Sequence, residues 1–200
     1  PMPEEARAAS DNISVTESGA VASIAESEVV IPITEKDTSA ADISAPPGDL
    51  WERIRNGFAM AEMDSEEVRN SENFYANRPE YVKRIIERSK RYLFHIVEEV
   101  ERRRMPAEIA LLPIIESAFN PRAYSTSHAS GIWQFIPSTG KNYGLKQNWW
   151  HDDRRDIVAA TSAALDYLQN LYNMFGDWEL VLASYNWGEG AVGRSLIKNR

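Results

Sequence analysis

The sequence has 200 residues, 43% hydrophobic and 26% charged, with a formal net charge of −8 and no cysteine. Those proportions suit one globular domain, or a smaller domain with a tail. They exclude disulfides, thiolate metal sites and the concentrated basic surface that nucleic-acid binding requires, and no apolar run approaches the ~18 residues that span a bilayer.

Residues 1–48 differ in composition from the rest of the chain. The first 49 residues hold ten acidic and two basic side chains, which accounts for the whole net charge, and no aromatic residue precedes Trp51. Such a segment cannot bury enough surface to offset its conformational entropy. We therefore predict a disordered acidic leader, then a domain over 49–200. The alternative is an extended arm laid on the domain, because residues 29–33, VVIPI, favour a strand.

The start of the domain predicts two helices. Asp49 is a typical N-cap, and the apolar residues that follow recur at helical spacing as far as Phe58. Residues 79–104 show the strongest pattern, one apolar stripe against a densely charged face, which predicts a single amphipathic helix.

A further helix is predicted from Pro106, a residue favoured at the first helical position. Pro113 is expected to bend this helix or to make its first turns irregular. Asn120 should end it, since a residue that precedes proline avoids helical angles. The motifs described below all lie from this helix onward, in residues 106–200.

The remainder predicts a loop-rich insertion followed by more helices. Within the insertion, residues 120–155, a short helix is expected around 137–143 and is closed by Gly144. Helices are then predicted over 156–176 and 177–188, each with an aspartate at its start and a glycine at its end. A last helix is predicted from near Glu189 to Arg200, without a stop signal. No segment of the domain favours a strand, so the predicted fold is mainly α.

Glu116 is the first candidate for chemistry. It lies seven residues after Ile109 and four after Leu112, which places it on the apolar side of its helix. Desolvation favours the neutral form of a carboxyl group, and a carboxylic acid still protonated near neutral pH can donate a proton to a leaving oxygen. The alternative is that Glu116 reaches water at the helix end.

Two later motifs combine aromatic rings with amides. The segment GIWQF, residues 131–135, contains Trp133 and Gln134, and SYNWG contains Tyr185, Asn186 and Trp187. Aromatic platforms beside amide hydrogen-bonding groups suit ligands with apolar faces and polar rims, such as sugars. The alternative is that the tryptophans belong to the core.

Taken in order, ESAFNPRAYS, GIWQF and ASYNWGEG resemble the soluble-lytic-transglycosylase (SLT) family. LLPIIESAFNP, GIWQFIPSTGKNYGL and DDRRDI bring the chain closest to the D-type subgroup of that family. The resemblance covers about residues 79–200. It implies a mainly helical, lysozyme-like fold of the goose type, with a groove for a glycan strand.

The resemblance also implies a reaction that uses one carboxylate where most glycoside hydrolases use two. Glu116 would protonate the glycosidic oxygen between N-acetylmuramic acid and N-acetylglucosamine in peptidoglycan, helped by the N-acetyl group of the substrate. It would then take the proton of the C6 hydroxyl, which closes a 1,6-anhydro ring without water. Neither a cofactor nor a metal is expected.

The family motifs assign five further positions. Ser117 would support the glutamate or the local backbone, and Ser125 would bind the reacting sugar. Gln134 would line the groove. Tyr185 would place its hydroxyl near the catalytic carboxyl, and Asn186 would belong to the same wall.

Two other functions remain open. A hydrolytic muramidase on the same fold would need an acid to activate water, and Asp152, Asp153 and Asp156 are the candidates. A non-catalytic glycan-binding module would not need a desolvated Glu116. The row from His151 to Asp156 also resembles a metal site, but the intervening Arg154 and Arg155 favour an ion-paired turn.

By resemblance, the expected partner is peptidoglycan and the expected location is the periplasm, in association with the outer membrane. Members of the D-type subgroup carry a lipid anchor and C-terminal LysM glycan-binding repeats. The sequence contains neither, and we expect both to have been lost from it. Nucleic acid and a membrane-spanning segment are not expected.

Overall fold

A computed structural model describes residues 49–198. The helices are α1 (Leu50–Asn56), α2 (Glu66–Ala76), α3 (Pro79–Ser89), α4 (Leu93–Arg102), α5 (Leu112–Ser117), α6 (Pro137–Asn142), α7 (Ile157–Phe175), α8 (Trp178–Trp187) and α9 (Glu189–Lys198), with 3-10 helices over Ala107–Leu111 and Asp153–Arg155. Within this range the only β-structure consists of isolated bridges, so the prediction of a mainly α fold is confirmed. The predicted leader, 1–48, lies outside the described residues.

Helix starts follow the predicted capping. The side chains of Asp49, Asp156 and Asp177 accept hydrogen bonds from backbone N–H groups in the first turns of α1, α7 and α8. Such caps satisfy donors that a helix leaves unpaired. At the other end of α7, Gly176 takes a left-handed conformation, with φ of 68°. These confirmed boundaries depend on side chains next to the helix itself.

The single helix predicted over 79–104 is wrong, because the chain breaks between α3 and α4. Ser89 is buried and donates its hydroxyl to the carbonyl of Ile86 at 2.8 Å. The N–H of Tyr92 then bonds the carbonyl of Ser89 in a tight turn, also at 2.8 Å. The apolar spacing continues across this turn, so periodicity could not reveal it.

Two smaller differences occur near the start of the domain. α1 ends at Asn56, so Phe58 lies beyond it, 48% exposed, rather than on its apolar stripe. α2 was not predicted. It begins at Ser65, whose hydroxyl accepts the N–H of Val68, and it buries none of its residues. A helix with no buried face gives only a weak periodic signal.

The core forms where α7 meets α4 on one side and α8 on the other. Its fully buried side chains include those of Ile96, Val97, Val100, Ile109, Phe119, Trp133, Leu165, Leu168, Leu171 and Val181. Each such aliphatic or aromatic group contributes about 1.5–3 kcal/mol by leaving water. No helix among residues 49–198 is long and apolar enough to cross a membrane.

The helix that carries Glu116 is short and irregular at its start, as the position of Pro113 predicted. A 3-10 helix, Ala107–Leu111, precedes α5. The predicted end at Asn120 is wrong, because α5 stops at Ser117. Ala118 and Phe119 follow with φ of 50° and 53°, in the left-handed region. The fully buried ring of Phe119 holds the chain in that conformation.

The segment 131–135, called here the central turn, packs directly on the backbone of a neighbouring loop. A Cβ atom on Gly131 would lie 1.9 Å from the carbonyl oxygen of Arg154. Arg154 is buried, pairs with Asp152 at 2.8 Å and donates one amino group to the carbonyl of Phe135 at 3.0 Å. The predicted ion-paired turn is therefore confirmed, and its arginine holds the central turn.

Gly131→Ala should destabilise the fold by at least about 4 kcal/mol, because the added methyl group collides with a backbone atom. Gly144→Ala is a matched control. Its φ is also positive, at 78°, but no atom lies within 4 Å of the added methyl group. The control should therefore cost only about 1–2 kcal/mol. Urea unfolding measures both, and equal losses would show that the close approach does not matter.

Candidate active site

Glu116 faces a cleft of about 510 Å³ from the end of α5. Its side chain is half-buried, and this burial raises the pKa of the carboxyl above its usual value. Within residues 49–198 it has no hydrogen-bond or ion-pair partner. The carboxyl is therefore poised to hold a proton to higher pH than a free glutamate.

The cleft brings together residues that lie far apart in the sequence. Its lining consists of Glu116, Ser125, Ser127, Ala129, Gln134, Phe135, Ile136, Thr139, Tyr167, Tyr185, Asn186, Trp187, Gly188 and Glu189. All the predicted site residues are in this set except Ser117. Among these lining residues none is a lysine, arginine or histidine, and the charged groups are two carboxylates.

A larger groove of about 690 Å³ lies elsewhere, between α1, α3 and the segment 107–115. Its walls are mostly aliphatic, and none of the predicted site residues lines it. Its one glutamate, Glu108, already accepts the N–H groups of Ala59 and Met60. A groove with so few free polar groups offers no chemistry, so we place the site in the smaller cleft.

Ser117 lies behind the cleft rather than in its wall. Its hydroxyl donates to the carbonyl of Ile132 at 2.9 Å, and the carbonyl of Pro113 lies at 3.3 Å. The first bond joins the last turn of α5 to the central turn. Ser117 therefore fixes the position of the helix that presents Glu116.

Tyr185 joins the opposite wall to the same turn. Its hydroxyl donates to the carbonyl of Trp133 at 2.7 Å, and not to Glu116. Burial raises the pKa of the Tyr185 hydroxyl well above its usual value, and the nearby Glu116 and Tyr167 raise it further. The tyrosine thus stays neutral, close to the acid, and holds α8 in place.

Gln134 and Ser125 are partly committed to the backbone. The Gln134 amide nitrogen donates to the carbonyl of Gly131 at 2.8 Å, which leaves its oxygen available. Gln134 also has a φ of 50°, a strained conformation of the kind that concentrates at functional sites. The Ser125 hydroxyl accepts the N–H of Ala129 at 3.1 Å and keeps its own proton to donate. Asn186 is exposed at the rim.

The two tryptophans of the motifs have different places. Trp133 is fully buried, and its indole N–H donates to Thr161 Oγ1 at 3.0 Å. The prediction of an aromatic platform is wrong for this residue, which belongs to the core. Trp187 is 64% exposed and lines the cleft, so it can offer a ring face to a ligand.

Tyr167 and Glu189 were missed by the sequence analysis. The Tyr167 hydroxyl donates to Glu189 Oε2 at 2.9 Å, and its ring lies 5.5 Å from that of Tyr185. Burial, then Glu189, raises the pKa of the Tyr167 hydroxyl. Tyr167 is hidden in the apolar pattern of α7. Glu189 lies within the quoted segment ASYNWGEG, but no role was assigned to it there.

The three acids considered for water activation are engaged elsewhere. Asp152 pairs with Arg154, Asp153 accepts the N–H of Lys146 at 2.8 Å, and Asp156 caps α7. None of them lines the cleft. Within residues 49–198 no group of three or more side chains of the metal-binding types comes together.

Comparison with known proteins gives a consistent result. Residues 95–200 match the model of the family described as Transglycosylase SLT domain. Over 157 residues, 78% of this chain, the sequence is 46% identical to proteins named membrane-bound lytic murein transglycosylase D from Escherichia coli strains K12 and O6:H1. The chain spans 35% of the length of those relatives.

A third relative, named for tributyltin chloride resistance, comes from Alteromonas sp. (strain M-1). It is 46% identical over 116 residues, which is 56% of each chain. The family match and the helical architecture together agree with the lysozyme-like fold class predicted from the sequence.

Tyr185→Phe should destabilise the fold by about 1–3 kcal/mol, because it leaves the buried carbonyl of Trp133 without its donor. The control is Tyr172→Phe. Tyr172 stacks on Trp178 at 4.6 Å, and its hydroxyl has no hydrogen bond within residues 49–198. Its loss should stay within about 0.5 kcal/mol. Chemical denaturation measures the free energy of unfolding of both variants. Equal losses would mean that the Tyr185 hydroxyl does not hold the wall.

Glu116→Gln should stabilise the protein increasingly as the pH rises. Because the fold raises the pKa of Glu116, its favourable contribution is complete below the ~4.3 of an unfolded glutamate and is lost as the pH passes the folded value. The melting temperature of the variant minus that of wild type should therefore grow between about pH 3.5 and pH 7.5.

Glu80→Gln, exposed on α3, controls for the loss of one negative charge. Its difference from wild type should change less over the same range. A Glu116→Gln difference that stays flat with pH would show that burial does not perturb this carboxyl.

Proposed function

Since the chain belongs to the SLT transglycosylase family, we propose that it is a peptidoglycan lytic transglycosylase. The observation that carries this proposal is the half-buried carboxyl of Glu116, which has no partner within residues 49–198, in a cleft with polar walls. Its substrate would be the β-1,4 bond between N-acetylmuramic acid and N-acetylglucosamine. This assignment makes the protein a carbon–oxygen lyase that acts on polysaccharide.

In the proposed reaction Glu116 acts first as an acid and then as a base. The protonated carboxyl donates to the bridging oxygen while the bond from the muramyl C1 to that oxygen breaks. The N-acetyl group of the same sugar stabilises the developing positive charge. The Glu116 carboxylate then removes the proton of the C6 hydroxyl, and O6 bonds C1 to close the 1,6-anhydro ring. The proton lost by Glu116 is regained, and no water enters.

The walls of the cleft supply the supporting contacts. Ser125 has a hydroxyl proton to donate, and the Gln134 carbonyl oxygen can accept from a sugar. Asn186 offers an amide at the rim. Tyr185 holds its wall through Trp133 and keeps a neutral hydroxyl beside the acid. Such fixed groups orient the substrate without reorganising during the reaction.

The hydrolytic alternative would need a base beside the reacting carbon. Glu189 is the other carboxylate among the lining residues, so it replaces the aspartates as the candidate. Tyr167 holds Glu189, however, by donating its hydroxyl to Oε2, whereas Glu116 has no hydrogen-bond partner within residues 49–198. This difference favours the one-carboxylate reaction. A purely binding role would not explain the half-buried acid.

The names of the Escherichia coli relatives describe membrane-bound enzymes that act on murein. We extend that setting to this chain as a location in the periplasm, associated with the outer membrane, with glycan strands as the partner.

Glu116→Gln keeps the shape of the side chain but cannot transfer the proton. General acid–base catalysis is worth about 10²–10⁴ in rate, and here one group supplies both steps, so turnover of purified sacculi should fall at least that far. Glu80→Gln should keep wild-type activity. Mass spectrometry should find a wild-type product one water lighter than a reducing muramic acid. A reducing end would refute the one-carboxylate mechanism.

Wild-type kcat/KM should fall as the pH rises, because the free enzyme must enter the reaction with Glu116 protonated. Burial raises the pKa of that group, so the fall should begin above the ~4.3 of free glutamate. The pH profile on soluble glycan strands measures this limb. A midpoint at the value of free glutamate would mean that Glu116 is not desolvated in the free enzyme.

A further inference from the structure

The cleft contains a carboxylate that the proposed reaction does not use. Glu189 is the first residue of α9 and lines the same cleft as Glu116. The Tyr167 hydroxyl occupies its Oε2 at 2.9 Å, and the side chain remains exposed. Glu189 is thus a positioned acceptor whose other oxygen is available to a ligand.

Glu189 belongs to the wall of the cleft that Tyr167 and Tyr185 form. Tyr185 lies near Glu116, and Tyr167 donates its hydroxyl to Glu189, while the two rings lie 5.5 Å apart. The two tyrosines thus link the surroundings of the acid to Glu189. In this arrangement a sugar beside the scissile bond would meet Glu189.

The charged residues that line the cleft are all acidic. Glu116 and Glu189 are the only charged groups among the lining residues, none of which is a cation. When Glu116 holds its proton, Glu189 carries the negative charge of the cleft. A carboxylate in that setting attracts N–H and O–H donors and repels anions.

The muramyl residue of the expected substrate occurs in two forms, which differ in the charge of its lactyl group. The lactyl group of a muramyl residue is a free carboxylate in a bare glycan strand. It is an amide, with an N–H donor, wherever a peptide is attached. A fixed carboxylate on the protein would therefore repel the lactyl group in its acid form and attract it in its amide form.

We propose that Glu189, positioned by Tyr167, is a specificity-determining residue that selects muramyl residues with an amidated lactyl group over those with a free carboxylate. Its free oxygen accepts the amide N–H, and its charge disfavours the acid. This inference rests on the function proposed above. It predicts that strands with peptides are better substrates than bare ones.

The test compares two substrates that differ only at the lactyl group. Bare glycan strands are used with free lactyl carboxyls, or with the same groups converted to N-methylamides, so that no peptide charge interferes. Wild type should favour the amide in kcat/KM by on the order of fivefold, the size expected for one unit charge near another in water. The preference should shrink at about 1 M salt, where charges are screened.

Glu189→Gln should bring that ratio to within about twofold of unity, mainly through KM, because the repulsion and the charge-assisted hydrogen bond are both removed. The control is Glu179→Gln, which removes an equal charge from an exposed site on α8 outside the cleft. It should keep the wild-type ratio. If Glu189→Gln keeps the wild-type ratio too, or lowers activity equally on both substrates, the inference is wrong.

Binding measurements on an inactive variant test this inference independently of the proposed function. Calorimetry in a Glu116→Gln background gives the dissociation constants of both strands without turnover, and adding Glu189→Gln should equalise them. A wild-type enzyme that forms no anhydro end would count against the proposed function, yet that binding ratio would still decide the role of Glu189. A hydrolysed product that Glu189→Gln abolishes would make Glu189 a base and overturn the inference.

Discussion

Two consecutive backbone carbonyls hold the site together. Ile132 accepts the hydroxyl of Ser117, and Trp133 accepts the hydroxyl of Tyr185. The first bond fixes the helix that presents Glu116, and the second fixes the opposite wall. Because both acceptors belong to the central turn, that turn ties the two sides of the cleft together.

The central turn is itself held from three directions. The indole of Trp133 bonds α7, the buried Arg154 binds the carbonyl of Phe135, and Gly131 rests against the backbone of that arginine. Strain is concentrated around it. Of the non-glycine residues 49–198 with positive φ, four fall between 118 and 134, at Ala118, Phe119, His128 and Gln134. The fold concentrates unfavourable backbone geometry where it presents the acid and the groups that face it.

The sequence predicted most accurately the helix starts and ends that neighbouring residues determine. Aspartate caps and a glycine stop mark α7 and α8, because a cap and its target are a few residues apart. The break at Ser89 was missed because the apolar spacing continues through it. The end of α5 was placed too late, since a buried Phe119, and not the later proline, turns the chain.

The candidate site was only partly visible in the sequence. The motifs identified Glu116 and several of the other lining residues, but residue type alone could not separate an indole in the core from one in a wall. Trp133 and Trp187 look equivalent in the sequence, but in the folded chain Trp133 is buried in the core and Trp187 is exposed at the cleft. Tyr167 on α7 and Glu189 at the start of α9 are 22 residues apart and meet only in the folded chain. Such a pairing leaves no pattern in a single sequence.

The order of these parts along the chain has a consequence during synthesis. A ribosome delivers Glu116 and the central turn well before residues 185–189, which complete the wall. Until α8 and α9 join, the cleft lacks the wall that contains Tyr185, Asn186 and Glu189, so no complete groove can bind a glycan strand. An enzyme proposed to cut the wall of its own cell is thus expected to become active only when α8 and α9 have packed.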